Sequence, residues 1–165
     1  MSVMRRDLSR RGLLAVGLSG VLIAGLAGCG IVSTGPDSSE ETPVDFGTIS
    51  TAVPAATPRV VDVRDPQQSR NGFGHRFGLG LICDSGDPFT TEELDAVVEA
   101  IWRTLPWEPN TIKLTAGADT DGVHDVVDLR SAAAGLDGLS VTNAGQGGVS
   151  LTGMAERYGA WTAPE

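Results

Sequence analysis

One feature of the sequence constrains the fold most: a predicted helix lies between two segments in which apolar residues alternate with small or polar ones, as in a strand. The helix is predicted over 91–105, because Thr90 and Glu93 have capping-box spacing and apolar residues recur along one stripe. Residues 76–83 and 111–116 alternate apolar with small or polar side chains, which is the period of a half-buried strand. This order predicts a crossover joining two parallel strands, with the helix covering one face of the sheet.

A hairpin is predicted before this unit. Residues 59–64 form a candidate strand with Val61 and Val63 on one face. The dipeptide Asn71-Gly72 is a favourable turn that leads into the next strand. The polar stretch between strand and turn contains a proline, so we expect the hairpin to be bulged.

Three shorter elements follow the crossover. They are predicted from brief apolar runs as a helix over 128–134, a strand over 139–142 and a helix over 151–158. We therefore expect a single α+β domain over 58–165, built as a small two-layer sandwich. It combines a mixed sheet of about four strands with one long and two short helices.

The first 28 residues have the pattern of a signal peptide rather than of a folded element. Four arginines precede an apolar run over residues 13–26. A run of about 14 residues suits the apolar region of a signal peptide and is shorter than the ~20 residues that span a bilayer. We therefore expect residues 1–28 to be removed on export.

The residues Leu26-Ala27-Gly28-Cys29 follow this apolar run directly. They resemble the lipobox of bacterial lipoproteins, in which the cysteine is diacylated and becomes the first mature residue. The resemblance covers residues 1–29 only. It implies lipidation of Cys29, because the acyl acceptor must be a thiol, and it implies a domain held at the extracytoplasmic side of the cell membrane.

The segment 9–14 resembles a twin-arginine export motif centred on Arg10 and Arg11. Its serine, both arginines and its second leucine fit the motif, whereas Leu13 stands where that family usually has Phe. The resemblance implies export of an already folded domain. Two alternatives remain open: export by the general secretory route, and an uncleaved membrane anchor over the apolar residues 13–32.

Residues 29–57 are predicted to be the lipidated cysteine followed by a flexible tether, because Ser, Thr, Gly, Pro and acidic residues dominate them. Removing residues 1–28 takes away four arginines and one aspartate. The 12 basic and 21 acidic residues of the chain then fall to 8 and 20, a net charge of −12. This charge argues against a nucleic-acid partner and predicts a domain held off an anionic membrane surface.

Cys83 is the only thiol besides Cys29, so the mature chain offers no pair for an internal disulfide. Its place on the apolar side of a strand favours a buried, unreactive side chain. His75 lies eight residues away, more than about 20 Å along an extended strand, so it is not a base for this thiol. With His124 as the only other histidine, zinc-ligand spacing is lacking, and we expect no cofactor.

The densest polar cluster contains Asp119, Asp121 and Asp125, which are weak candidates for a metal site. A calcium loop of EF-hand type starting at Asp119 needs Gly at its sixth position and Glu at its twelfth. This chain has His124 and Arg130 there. Asp and Gly between elements are typical of turns, so the segment 119–125 is predicted to be a turn, with a cation site as the alternative.

The sequence leaves two locations open for the three tryptophan side chains, the core and the surface. Trp102 borders the apolar stripe of the long helix, and Trp107 and Trp161 lie in loop segments. We expect all three to anchor the core and its loops. Exposed tryptophans would instead indicate a binding surface.

The predicted function is binding rather than catalysis. We expect a membrane-anchored exported lipoprotein whose domain interacts with an unidentified protein or small molecule at the outer face of the cytoplasmic membrane. The alternative is an extracytoplasmic hydrolase using carboxylates such as Asp62, Asp119 or Asp121 together with His124. Two nearby carboxylates with separated pKa values would support that alternative.

Overall fold

The computed structural model describes residues 43–120 and 123–165. In chain order the elements of these residues are α1 (Ile49–Ala56), β1 (Val60–Asn71), β2 (Gly74–Cys83), α2 (Thr91–Thr104), β3 (Pro109–Thr120), β4 (Val123–Val127), α3 (Arg130–Ala133), β5 (Ser140–Gly145), β6 (Gly148–Thr152) and α4 (Met154–Tyr158). The predicted α+β class with a mixed sheet is confirmed. The expected numbers of about four strands and three helices are too low, since the described residues form six strands and four helices.

One mixed sheet contains all six strands of the described residues, in the order β1-β2-β3-β6-β5, with β4 also paired to β3. The pair β2 and β3 is parallel, as the crossover through α2 predicts, and the other pairs are antiparallel. β2 occupies one side of β3 along its length. The other side is divided between β6, which pairs with residues 112–114, and β4, which pairs with residues 116–120.

The core lies between the helices and one face of the sheet. The buried apolar residues of β2, β3 and β6 alternate along their strands and share this inner face: Phe77, Leu79, Leu81, Cys83, Ile112, Leu114, Ala116, Ala118, Val149 and Leu151. They form a single cluster with buried residues from all four helices. The opposite face of the sheet carries none of these four helices, so it is open to solvent.

The helix α2 forms as its local sequence predicts. The Thr90 side chain accepts a hydrogen bond from the Glu93 backbone N–H at 3.2 Å, and the Glu93 carboxylate accepts one from the Thr90 N–H at 2.8 Å. This capping box satisfies two of the free donors at the helix start. The predicted stripe is buried, including Leu94, Val98 and Ile101, each 0% exposed.

The predicted flexible tether over 29–57 is wrong in its last part. Residues 49–56 form α1, which packs on α2 and β1. Ile49 and Val53 are buried in the core, because a spacing of four places them on one side of a helical turn. The folded part of the chain therefore starts before residue 58.

The predicted facing of β1 is wrong at Val61. The ladder pairs Val60 with Cys83 and then Asp62 with Ile82, so Val61 is an extra residue at a bulge. Val60 is 1% exposed and Val61 is 57% exposed. The sequence predicts no irregularity at Val61, and this bulge reverses the side to which Val61 points. The bulge that the sequence predicts from the polar stretch with its proline is confirmed by the second register shift, between Arg64 and Gln67.

Two short strands lie where the sequence predicts a turn or a helix. The predicted turn over 119–125 is too long, because β3 continues to Thr120 and β4 begins at Val123. The predicted helix over 151–158 is wrong at its start, because Leu151 belongs to β6 and α4 begins after that strand. Both strands are formed by pairing with β3, which a local pattern does not contain.

Candidate functional site

The open face of the sheet is lined by small and polar side chains. Residues that alternate with the buried ones point away from the core. On β2 they include Arg76, Gly78 and Gly80, and on β3 they include Lys113 and Thr115. Hydroxyl groups from β5 and β6 continue this face: Ser140, Thr142, Ser150 and Thr152.

Two adjoining hollows, which we name together the polar groove, cross this face. The larger has a volume of about 430 Å³ and is lined mainly by the hydroxyl side chains, with Arg76, Lys113 and Asn143. The smaller has a volume of about 230 Å³ and lies over β1, β2 and β3. Lys113 lines both hollows, so the only lysine of the chain stands between them.

Two glycines of β2 leave room for the smaller hollow. A Cβ atom at Gly78 would lie 3.8 Å from the Cβ of Gln67, and one at Gly80 would lie 3.4 Å from the carbonyl oxygen of Arg64. Both distances are ordinary van der Waals contacts, so the surrounding backbone does not exclude a side chain. The role of the two glycines is therefore to leave the space above β2 empty, and this space is the smaller hollow.

Charge distinguishes the polar groove from the rest of the domain. Five of the eight basic residues after position 28 form ion pairs: Arg59 with Glu93, Arg64 with Asp62, Arg103 with Glu99, Arg130 with Asp128, and Arg157 with Asp95. The other three, Arg70, Arg76 and Lys113, form no ion pair with a described residue. Two of these three line the groove. An acidic domain thus presents two unpaired cations in one groove, which favours an anion there.

The groove is rich in hydrogen-bond donors. Hydroxyl groups, the Asn143 amide, an ammonium and a guanidinium converge on the larger hollow. Among the described residues that line the two hollows there is no histidine or cysteine, and the only carboxylate belongs to Asp65. Asp65 has a φ of 52° at the second irregularity of β1. Amide, hydroxyl and cationic donors that converge on one hollow suit the binding of an anion.

The weak metal candidates are not brought together. Asp125 pairs with Ala118 across the β3–β4 ladder, and Asp119 is the next residue along β3. Successive residues of a strand point to opposite faces, so the carboxylates of Asp119 and Asp125 diverge. Asp121 lies outside the described residues. Within 43–120 and 123–165, no group of three or more His, Cys, Asp or Glu side chains is placed to hold a metal ion.

The hydrolase candidates are divided between distant strands. Asp119 and His124 are register partners on β3 and β4, whereas Asp62 lies on β1. The strand β2 separates β1 from β3, so the backbones are about 10 Å apart or more. The Asp62 carboxylate lies 3.7 Å from the guanidinium of Arg64, which partners it on its own strand.

The predicted lipidation site Cys29 and the predicted export-signal residues Arg10 and Arg11 lie outside the described residues. In the part of the chain that is described, no helix has the length and apolar character needed to cross a membrane. Cys83 is 2% exposed, as its position on the strand predicts, and burial raises the pKa of its thiol. A buried thiol with a raised pKa is a poor nucleophile.

A third cavity, of about 560 Å³, lies at the end of the sheet beside the β1–β2 turn. It is lined by Phe73, His75, Trp107 and Trp161 among others, and we name this region the aromatic end. Trp102 is buried in the core, as predicted. Trp107 and Trp161 are only partly buried, so they combine packing against the core with access to the cavity.

Arg76 and Lys113 were not among the residues that sequence reasoning selects. The available signal is the alternation of 111–115, in which the only lysine of the chain falls on the side opposite the apolar residues. That signal does not reveal which strands lie beside it. The groove exists only because β2, β3, β6 and β5 are neighbours.

No protein-family model, no curated protein and no solved structure matches this chain. The function proposed below is therefore inferred from the predicted export signal, the polar groove and the distribution of charge.

Proposed function

We propose that this chain is an exported lipoprotein, anchored through Cys29 at the outer face of the cytoplasmic membrane, whose domain binds an anionic ligand. The four lipobox residues and the apolar run before them support the anchor. The motif around Arg10 and Arg11 supports export of a folded domain. The observation that carries the binding role is the polar groove, where Arg76 and Lys113 lack ion-pair partners among the described residues.

The two cations of the groove would contribute differently. The planar guanidinium of Arg76 is suited to bidentate contact with a phosphate or carboxylate, whereas the ammonium of Lys113 acts as a compact point charge. The hydroxyl groups of β5 and β6 both donate and accept hydrogen bonds. A ligand that carries an anionic group next to hydroxyl groups fits this lining best.

A direct test measures anion binding by the purified lipoprotein in nonionic detergent. Sodium triphosphate serves as the phosphate probe and citrate as the carboxylate probe, each followed by isothermal titration calorimetry. We expect Lys113→Gln to raise the Kd of the preferred probe about tenfold, because a charge-assisted hydrogen bond contributes about 1.5–3 kcal/mol. Added salt should weaken binding as well.

The matched control is Arg130→Gln. It removes the same charge from an exposed arginine next to Asp128 on the helix-bearing side of the domain. Its Kd should equal that of the unaltered protein. Equal weakening by both substitutions would mean that net charge alone attracts the probes, and the groove would lose its assignment.

A further inference from the structure

The hairpin between β1 and β2 ends in a fully exposed phenylalanine. Phe73 lies in the turn, and its exposed fraction is 111%. The next most exposed large apolar side chain of the described residues is Val126, at 59%. Isolated apolar side chains are ordinary on protein surfaces, so Phe73 by itself indicates no partner.

Two arginines flank this phenylalanine. Arg70 precedes Phe73 by three residues on β1, and Arg76 follows it by three residues on β2. Both are exposed, and both belong to the three basic residues that form no ion pair with a described residue. The segment 69–76 contains no acidic residue, although Asp45 and Glu108 lie on other segments near this end. The tip of the hairpin is therefore an aromatic group between unpaired cations.

More aromatic side chains lie directly beside the tip. His75, Trp107 and Trp161 line the same cavity as Phe73, and the rings of His75 and Trp107 are 5.7 Å apart. Indole rings are enriched at membrane–water interfaces. The aromatic end thus has the composition of an interfacial surface.

The first described residues of the domain also lie at the aromatic end. The backbone carbonyl of Asp45 accepts a hydrogen bond from Trp107 Nε1 at 3.1 Å. Thirteen residues separate Cys29 from Pro43, and a chain of that length spans at most about 50 Å. The aromatic end is therefore the part of the domain that is nearest, along the chain, to the proposed lipid anchor.

We propose that the aromatic end docks on a lipid bilayer with anionic headgroups, with Phe73 inserted among the acyl chains and Arg70 and Arg76 bound to headgroup phosphates. The proposal rests on the proposed function, because the anchor at Cys29 supplies the proximity. Tethering makes docking an intramolecular step with an effective concentration near the millimolar range, so a weak contact suffices.

The acidic net charge does not oppose this contact. A membrane surface potential decays within a Debye length of about 8–10 Å, so only the groups close to the lipid feel it strongly. In this arrangement those groups are Arg70 and Arg76 of the hairpin tip together with the carboxylate of Glu108, which lines the neighbouring cavity, so most of the acidic residues lie farther from the lipid. The expectation that net charge holds the whole domain off the bilayer is replaced by docking through one cationic, aromatic end.

The test couples the chain from residue 29 onward to vesicles through the thiol of Cys29 and a maleimide lipid. Cys83 is 2% exposed, which leaves Cys29 as the reactive thiol. The vesicles contain phosphatidylcholine and phosphatidylglycerol with brominated acyl chains, which quench nearby tryptophan emission. Docking is read from the quenching of Trp107 and Trp161, since Trp102 is buried in the core.

We expect strong quenching in the unaltered chain and a loss in Phe73→Ser. The ratio of docked to undocked protein should fall about tenfold, which corresponds to part of the transfer free energy of one buried phenylalanine. Val126→Ser is the control, because it removes an exposed apolar side chain from β4 and should leave quenching unchanged. Arg70→Gln should lower the ratio about fivefold on vesicles with phosphatidylglycerol and little on vesicles without it.

Absence of quenching, or an equal loss in Phe73→Ser and Val126→Ser, would overturn the docking proposal. Self-association in lipid-free buffer that Phe73→Ser abolishes would assign the tip to a second copy of the chain, which also overturns it. Because the attachment is chemical, the result does not depend on lipidation in the cell. A failure of docking is thus distinguishable from a failure of the proposed anchor at Cys29, which fatty-acid labelling tests separately.

Discussion

The Arg59 side chain contacts much of the connection between β2 and α2. It is 11% exposed, and its guanidinium donates to the backbone carbonyl oxygens of Ser85, Asp87 and Pro88 as well as to the Glu93 carboxylate. Its charged group also lies 4.5 Å above the ring centre of Phe89. Several acceptors in different directions need the planar fork of arginine, because an ammonium has one donor centre. Arg59 therefore stabilises the loop that leads into the capping box of α2, together with the buried side chain of Phe89.

We predict that Arg59→Lys lowers the free energy of unfolding by about 2 kcal/mol, because several charge-assisted hydrogen bonds are lost from a buried site. Urea unfolding measures the change. Arg64→Lys is the control on the same strand, since Arg64 is 61% exposed and lies 3.7 Å from Asp62. It should alter stability by less than about 0.5 kcal/mol. Equal effects of the two substitutions would show that the loop is held by other contacts.

At the scale of elements, α4 is fastened to α2 through the Asp95 carboxylate. It accepts hydrogen bonds from Arg157 Nε and Nη2, each at 2.7 Å, and from the Tyr158 hydroxyl at 2.5 Å. The hydrogen bonds from Arg157 hold the pKa of Asp95 below its ordinary value, with a further contribution from Tyr158. Desolvation and the same carboxylate raise the pKa of Tyr158.

This cluster makes stability depend on acid pH. Because the pKa of Asp95 is lower in the folded chain, its contribution is complete above the unfolded value near 4 and is lost as pH falls through the folded value. We predict that Asp95→Asn destabilises the protein by about 2 kcal/mol at pH 7, and that the difference shrinks below pH about 4. Thermal melts over this range measure it, with the exposed Glu99→Gln as a control expected to change little. A difference that is constant with pH would contradict the role of the carboxylate.

The elements that could be predicted are those whose signals are local. The helix α2 carries its own cap and its own apolar stripe, so its predicted range of 91–105 differs from the observed one by a single residue. In α1, only Ile49 and Val53 indicate an apolar helix face, and the residues around them include proline and threonine, which are typical of loops. This helix is stabilised by packing on α2. The strands β4 and β6 are defined by pairing with β3.

The candidate site was harder to predict for the same reason. Only the neighbours β2 and β3 follow from the local order of strand, helix and strand. The hydroxyl groups that face Lys113 come from β5 and β6, and Ser150 is its register partner on β6. Arg76 reaches the same groove from β2. Residues from four strands meet there through non-local pairing, which the alternation within one strand does not encode.

At the scale of the whole molecule, the domain separates three kinds of surface. The helices cover the apolar face of the sheet, the polar groove occupies the other face, and the aromatic end lies beside the β1–β2 turn. Arg76 belongs to both the groove and the hairpin tip. The proposed docking through the aromatic end would therefore hold the groove beside the membrane surface, where the proposed anionic ligand would reach it. The proposed location of the domain at the membrane depends on attachment through Cys29.

Metabolic labelling with a clickable fatty-acid probe tests this attachment most directly. We predict that the unaltered protein is labelled and loses residues 1–28, that Cys29→Ala is neither labelled nor processed after Gly28, and that Cys83→Ala is labelled normally. The reason is that acylation requires the thiol of the lipobox, whereas the other cysteine is buried. Intact-mass spectrometry of the membrane fraction locates the acyl groups. Continued labelling of Cys29→Ala, or an unlabelled wild type that retains residues 1–28, would contradict the account.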